Sequence, residues 1–336
     1  MSLHLVLPGL LWPASAPASA PAPAPRTPSL SLLIARGRLI RRAAVAPESA
    51  LAALFGLDGT APLAALRRVG CGAAPDLRHW LAADATHLRF ARDALLLTDA
   101  PDVAPDAAEA AALAASWNAH FTDVGWLELG AGGQGHIALA RPVQALTTPP
   151  GAAIGRKIDA RLPEGPDGAQ LRQWMNETQM LLHAHPVNAA REEAGRPPIN
   201  NLWFWGAGAL PVRAHAPGLQ MWSDNALAHG LATAAGVRAA PLPPQPSVAM
   251  QPGNVVLIDD ALSPSLYLDH EGWTRAVEAL DAQWIAPAVQ ALRSGEIRTL
   301  TLTLGGDDAQ LEVTVRRADL MKFWRTARPL IPGPGA

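Results

Sequence analysis

The sequence predicts an α/β protein, and three observations carry that expectation. Residues 254–259 form a strand apolar on both faces, as in a parallel sheet covered on both sides. Strand-like and helix-like segments alternate through the carboxyl half, which argues for a sheet layered with helices. Finally, 336 residues with 49% apolar side chains suffice for a large core in one or two domains.

From the amino end, residues 3–7 read as a strand. The apolar run 3–12 with Ala-x-Ala steps after it mimics a secretory leader, but residues 1–4 hold no Lys or Arg and Pro8-Gly9 interrupts the run. A buried first strand is the favoured reading. Residues 13–28 are rich in Pro, Ala and Ser, cannot pack a core, and are expected to form a disordered or polyproline-like loop. Residues 31–42, 47–55 and 62–69 read as short helices, with the basic cluster 36–42 as one helix face. Residues 87–98 read as two strands joined at 91–94, with Asp84, Thr86 and His87 ahead of them as turn residues or a remnant substrate loop. Residues 105–121 form an Ala-rich helix with its acidic residues near the start, where the helix dipole favours them.

Residues 124–129 and 136–140 flank the glycines of 130–135 and read as a hairpin. A phosphate loop is excluded because neither a Lys-Ser/Thr ending nor a helix follows. Residues 147–168 are loop-rich. Asp167 is placed to cap a helix whose apolar positions Leu171, Trp174, Met175, Thr178, Leu181 and Leu182 fall at helical spacing. Pro186 suits the first turn of a second helix and Gly195 its end. Residues 201–206 read as a buried strand, with Trp203 and Trp205 on one face. A strand at 221–223 leads through Ser223-Asp224-Asn225, a helix cap, into a helix at 226–235. Beyond it lie a long helix at 273–293, a strand pair at 297–304 and 311–316, and a last helix at 319–327.

The formal charge of −2, with no Lys/Arg stripe, excludes an electrostatic case for nucleic acid. The single cysteine, Cys71, rules out an internal disulfide framework and suits a reducing compartment, so a cytoplasmic protein is expected. No apolar run reaches the ~18–20 residues that cross a bilayer, and no membrane partner is expected.

The most distinctive stretch is 176–208, NETQMLLHAHPVNAAREEAGRPPINNLWFWGAG. It sets His183, His185, Asn188, Arg191, Asn200 and Asn201 beside Trp203 and Trp205. Buried polar groups need partners, so this mixture is either a pocket or a fully bonded frame. His185, Asn188, Arg191, Asn200, Asn201, Trp203 and Trp205 are the candidate ligand-binding residues. Arg191 and helix amides would serve a small anion, against a structural alternative in which the same groups bond the backbone and the tryptophans pack.

These residues resemble the central signature of the archaeal-type cofactor-independent phosphoglycerate mutases. They also resemble those of a bacterial offshoot, the RpfE-type regulatory proteins. Residues 5–13, 79–98, 222–236 and 254–292 extend the resemblance over most of the chain. It implies an alkaline-phosphatase-like fold: a mainly parallel sheet between helices, with a small inserted α+β region. The core would comprise 1–78 and 141–336, and the insertion 79–140. Catalytic members hold two divalent metals on Asp and His and pass a phosphoryl group through Ser, the paired cations stabilising attacking and leaving oxygens together.

This chain departs from that pattern. Where an Asp-Gly and a second Asp are expected at the first strand, it has Pro8-Gly9 and Trp12. Where Pro-Pro-His-Asp is expected, it has Pro149-Pro150-Gly151-Ala152. The hairpin has Gln134-Gly135-His136 without the expected Arg. The expectation is therefore a catalytically degenerate, regulatory or ligand-binding protein without a cofactor, whose partner is a small anionic ligand or a regulated protein. The alternative is an active phosphoglycerate mutase or phosphohydrolase with Mn or Mg at a rearranged site. Asp259, Asp260, Asp269 and His270 are its only metal candidates.

Overall fold

The computed structural model describes residues 2–14, 24–91, 94–99 and 103–326. The strands among the described residues are β1 (Ser2–Leu11), β2 (Arg38–Ala43), β3 (Trp80–Ala91), β4 (Ala94–Thr98), β5 (Gly125–Leu129), β6 (Gly135–Leu139), β7 (Asn201–Gly208), β8 (Gln220–Trp222), β9 (Arg238–Ala240), β10 (Asn254–Leu257), β11 (Thr299–Gly306) and β12 (Ala309–Arg316). Contacts divide the chain into two compact units. One comprises Met1–Pro47 with His215–Ala336, the other Glu48–Ala214.

The first unit is built on a seven-stranded sheet ordered β2-β12-β11-β1-β10-β8-β9. The five strands from β11 to β9 run parallel, while β12 and β2 add antiparallel at one edge. Leu3, Leu5 and Leu7 of β1 alternate into a core with Leu300, Leu302 and Leu304 of β11 and the helical side chains Leu30, Leu33, Trp273, Val277 and Ile285. This is the mainly parallel sheet with helices that the sequence predicts.

Several boundaries differ from expectation, each for a local reason. The helix Pro28–Arg36 stops at Gly37, where a Cβ would stand 2.8 Å from both the Leu33 carbonyl and the Val315 side chain. The basic cluster after it is therefore no helix face: Arg38, Arg41 and Arg42 lie on edge strand β2, where charged side chains suit a solvated edge. The long helix expected at 273–293 is Leu280-terminated, passes through a π turn at Asp281–Ile285, and resumes at Ala286–Ser294. Pro287 has no N–H to offer Gln283, and a π turn accommodates such a gap. The last helix shrinks to a 3₁₀ stretch, Arg317–Met321, and residue 327 lies outside the described residues. Of the expected loop 13–28, residues 15–23 also lie outside them, and Pro28 already begins a helix.

In the second unit the described strands β3 to β7 pair antiparallel. The long strand β3 is central, pairing with β4, β6 and β7, while β5 closes the hairpin onto β6. The pairing of β7 with β3 draws residues up to 208 into the same unit as the hairpin, so the unit extends on both sides of the expected 79–140 insertion. Asp84, Thr86 and His87 correct another expectation. They lie inside β3, not in a turn ahead of it, because β7 pairs along Thr86–Trp80. Asp167 forms no cap bond for the helix Gly168–His183. Its carboxylate instead accepts from Gln144 N.

Candidate functional site

The polar signature belongs to the second unit, and its side chains are almost all committed to protein partners. His185 caps the helix Pro186–Glu193, its Nδ1 accepting from Val187 N at 3.2 Å, and its Nε2 faces Ser116 Oγ at 2.9 Å. Burial lowers the His185 pKa, which keeps the ring an acceptor. Asn188 staples two segments: its amide donates to the Leu182 and Ile199 carbonyls and its oxygen accepts from Ile199 N. Arg191, 1% exposed, donates to Glu109 at 2.7 Å and to the Pro197 and Val103 carbonyls. Asn200 makes a two-way bond with the backbone of Leu88. Asn201 donates to Thr86 and accepts from Gln179. Trp203 donates to the Thr148 carbonyl, Trp205 to Asp84 Oδ2. These groups bond the protein's own backbone and side chains, with Glu109 as the carboxylate partner of Arg191.

A second buried network emerges that the sequence did not announce. Arg67 lies on the helix Leu63–Gly70 and is 5% exposed. It grips Asp84 with both terminal nitrogens at 2.7 and 2.8 Å, and also donates to the Gly135 carbonyl and His136 Nε2. Trp205 lies under the same guanidinium at 4.9 Å. Burial first, then the Arg67 charge, holds the His136 pKa down to about 3, as its acceptor role requires. Near this network Glu48 accepts from Gly151 N at 2.9 Å while its Oε2 is buried without a partner. Burial pushes its carboxyl pKa up, and Asp84 adds to the rise. One sequence cue existed: Asp84 is the lone carboxylate of its strand and directly follows the apolar run 80–83.

In the first unit the chemistry expected from the resemblance belongs at the carboxyl ends of β1, β8 and β10. Near that end of β1 stands Pro8-Gly9. Gly9 has φ +73°, and a Cβ on it would stand 2.4 Å from Leu262 Cα, so the turn after β10 closes directly onto this backbone. The Gly9 carbonyl accepts from Trp273 Nε1 at 2.9 Å. Trp12 packs at 5.1 Å, ring to ring, against both His270 and Trp273. Asp259 accepts from Asn225 Nδ2, while Asn225 Oδ1 caps the helix Ala226–Ala234. Asp269 caps its own helix through Gly272 N. Partial burial, then Asp259 and Asp224, raise the Asp260 pKa. Among the described residues no group of three or more His, Cys, Asp or Glu is placed to hold a metal, so Asp259, Asp260, Asp269 and His270 do not assemble into one site. The side chains of proline and tryptophan offer no oxygen donor, and this donor set does not fit a two-metal centre.

No family model matches the sequence. Curated relatives do. The 2,3-bisphosphoglycerate-independent phosphoglycerate mutase of Methanothrix thermoacetophila is 31% identical over 201 residues, covering 53% of this chain and 51% of that one. Its counterpart from Methanosarcina mazei is 42% identical over 64 residues, 19% of this chain and 16% of that one. The chain thus spans about half or less of the length of these relatives. Among solved structures, the PH0037 protein from Pyrococcus horikoshii aligns over 94% of this chain and 87% of that one, with TM-score 0.53 and 17% identity. At that identity the likeness speaks for the fold alone. The chain is similar in sequence, over about half its length, to 2,3-bisphosphoglycerate-independent phosphoglycerate mutases, and it shares the α/β fold of the PH0037 protein.

Proposed function

We propose that this chain is a catalytically degenerate relative of the cofactor-independent phosphoglycerate mutases, of the RpfE-type regulatory kind, which acts by binding and not by phosphoryl transfer. The observation that carries this reading is the carboxyl end of β1. Positions where the resemblance expects carboxylate ligands hold Pro8 and Trp12, and Trp12 stacks into a cluster with His270 and Trp273. The side chains of Pro8, Trp12 and Trp273 supply neither charge nor the oxygen or imidazole donors that a divalent cation needs, and leave His270 as the imidazole beside them. Of the carboxylates that remain nearby, Asp259 accepts from Asn225 and Asp269 caps its own helix. A two-metal phosphoryl transfer depends on both cations, so their loss removes the step itself.

The fold is retained because its frame does not depend on the metals. The buried bonds of Asn188, Arg191 and Asn201 hold the signature region together with protein partners alone. The test is the metal content of the purified full chain, measured by mass spectrometry, with interconversion of 3- and 2-phosphoglycerate assayed in added Mn²⁺. Less than one equivalent of metal and no turnover above background are expected. Two tightly held metals with robust turnover would sink the reading.

A further inference from the structure

We propose that residues 316–325 form a docking surface for anionic lipid bilayers. In this segment, RRADLMKFWR, four basic residues stand against one acidic residue, in a chain whose formal charge is −2. Leu320 points inward and joins the core of the first unit, and the Arg36 guanidinium holds its carbonyl. The three other large apolar residues point out: Met321 is 70% exposed, Phe323 77% and Trp324 68%. Phe323 and Trp324 meet edge to face at 5.3 Å.

Single exposed apolar residues are ordinary on a protein surface, but three within four positions make a patch. The patch is held in shape. Successive turn bonds run from Lys322 N to Asp319 O, Phe323 N to Met321 O and Arg325 N to Lys322 O. Asp319 also accepts from Arg316 N and Lys322 Nζ. Arg316, Arg317 and Arg325 are exposed around it, and Arg38 lies on the neighbouring edge strand, paired in register with Thr314.

Charge complementarity selects the occupant. Tryptophan and phenylalanine settle at the headgroup level of a bilayer, and flanking arginines and lysine are drawn to anionic headgroups. A bilayer needs no shaped cavity, only projecting aromatics on a basic rim, which is what these residues present. The expectation of no membrane partner rested on the lack of a spanning run. Adsorption needs none, and no described helix is long and apolar enough to cross a membrane.

The test is cosedimentation of the full chain with vesicles of phosphatidylcholine alone and of phosphatidylcholine with one quarter phosphatidylglycerol. Binding to the anionic vesicles is expected, with little to the neutral ones, weakening severalfold between about 0.1 and 0.5 M NaCl as screening shortens. The double variant F323S/W324S should lose about tenfold or more of this partition, because its apolar anchors are gone. It should melt with the parent, since both side chains are exposed. Leu219→Ser, at another exposed apolar position of the same unit, should bind as the parent does. Equal binding to both vesicle types, no binding to either, or undiminished binding of the double variant would overturn the proposal. So would a dimer in solution that F323S/W324S dissolves without any vesicle binding, which would make the patch a self-interface.

Discussion

Glu48 is the residue whose chemistry is least settled by its surroundings. One carboxylate oxygen accepts from Gly151 N, and the other is buried with no partner. Burial raises its pKa above the usual carboxylate range. A group whose folded pKa is raised contributes stability below its unfolded pKa and loses it as pH rises through the folded one. Glu48→Gln keeps the bond to Gly151 and removes the ionisation. The variant should therefore melt close to the parent in acid and progressively above it toward pH 8. Melting curves between pH 5 and 8 check this, and a gap that does not grow with pH counts against it. Arg67 presents the opposite case. Its pair with Asp84 is buried, and Asp84 also accepts from Trp205 Nε1. Arg67→Met leaves that carboxylate without its cation, which costs about 3–5 kcal/mol for a buried pair broken on one side. Denaturant unfolding of the single variants and of R67M with Asp84→Asn should give a coupling well above the few tenths typical of an exposed pair.

At the scale of elements, the helix Pro28–Arg36 borrows its cap from elsewhere in the chain. Thr27 makes no side-chain cap bond. The amides of Ser29 and Leu30 instead donate to Asp281, which opens the π turn and is 2% exposed. Asp281→Ala should cost about 1–2 kcal/mol, the usual worth of a lost N-cap, and should loosen amide-exchange protection in that helix before the rest of the sheet. Nothing local in 28–36 reveals this partner, about 250 residues away in sequence. That limit recurs. The helices Ala107–His120 and Gly168–His183, the hairpin β5–β6 and strand β7 were legible because apolar period and turn glycines lie within the segments themselves. Strand β2 was not, since an arginine-rich edge strand carries a helix-like composition. Nor was the place of Asp84 within β3, where alanines fit either state. The candidate residues were legible as polar groups in a buried setting. Their partners, such as Glu109 for Arg191 and Thr86 for Asn201, depend on tertiary pairing that no periodicity encodes.

At the scale of the molecule, the two units differ in how the chain builds them. The first needs two separate stretches, because β1 pairs with β10 and β11 across more than half the sequence. The second is one continuous stretch, 48–214, with its own antiparallel sheet. The bonds described for its polar groups also close within it: Arg67 with Asp84, Arg191 with Glu109, Glu48 with Gly151. Its buried tryptophans Trp80, Trp117, Trp203 and Trp205 give it a core of its own. A continuous unit with its own core and internally closed ion pairs meets the conditions for independent folding. The fragment 48–214 is therefore expected to express as a folded domain with dispersed amide resonances and a single cooperative melt. Arg191→Met in that fragment should lower its stability by about 3–5 kcal/mol, as expected when a buried charge pair loses one member, and by a similar amount in the full chain. A fragment with collapsed amide dispersion would show that this stretch requires the parallel-sheet unit to fold. A much smaller loss from Arg191→Met in the fragment than in the full chain would show that the HPVN frame draws its strength from outside the unit.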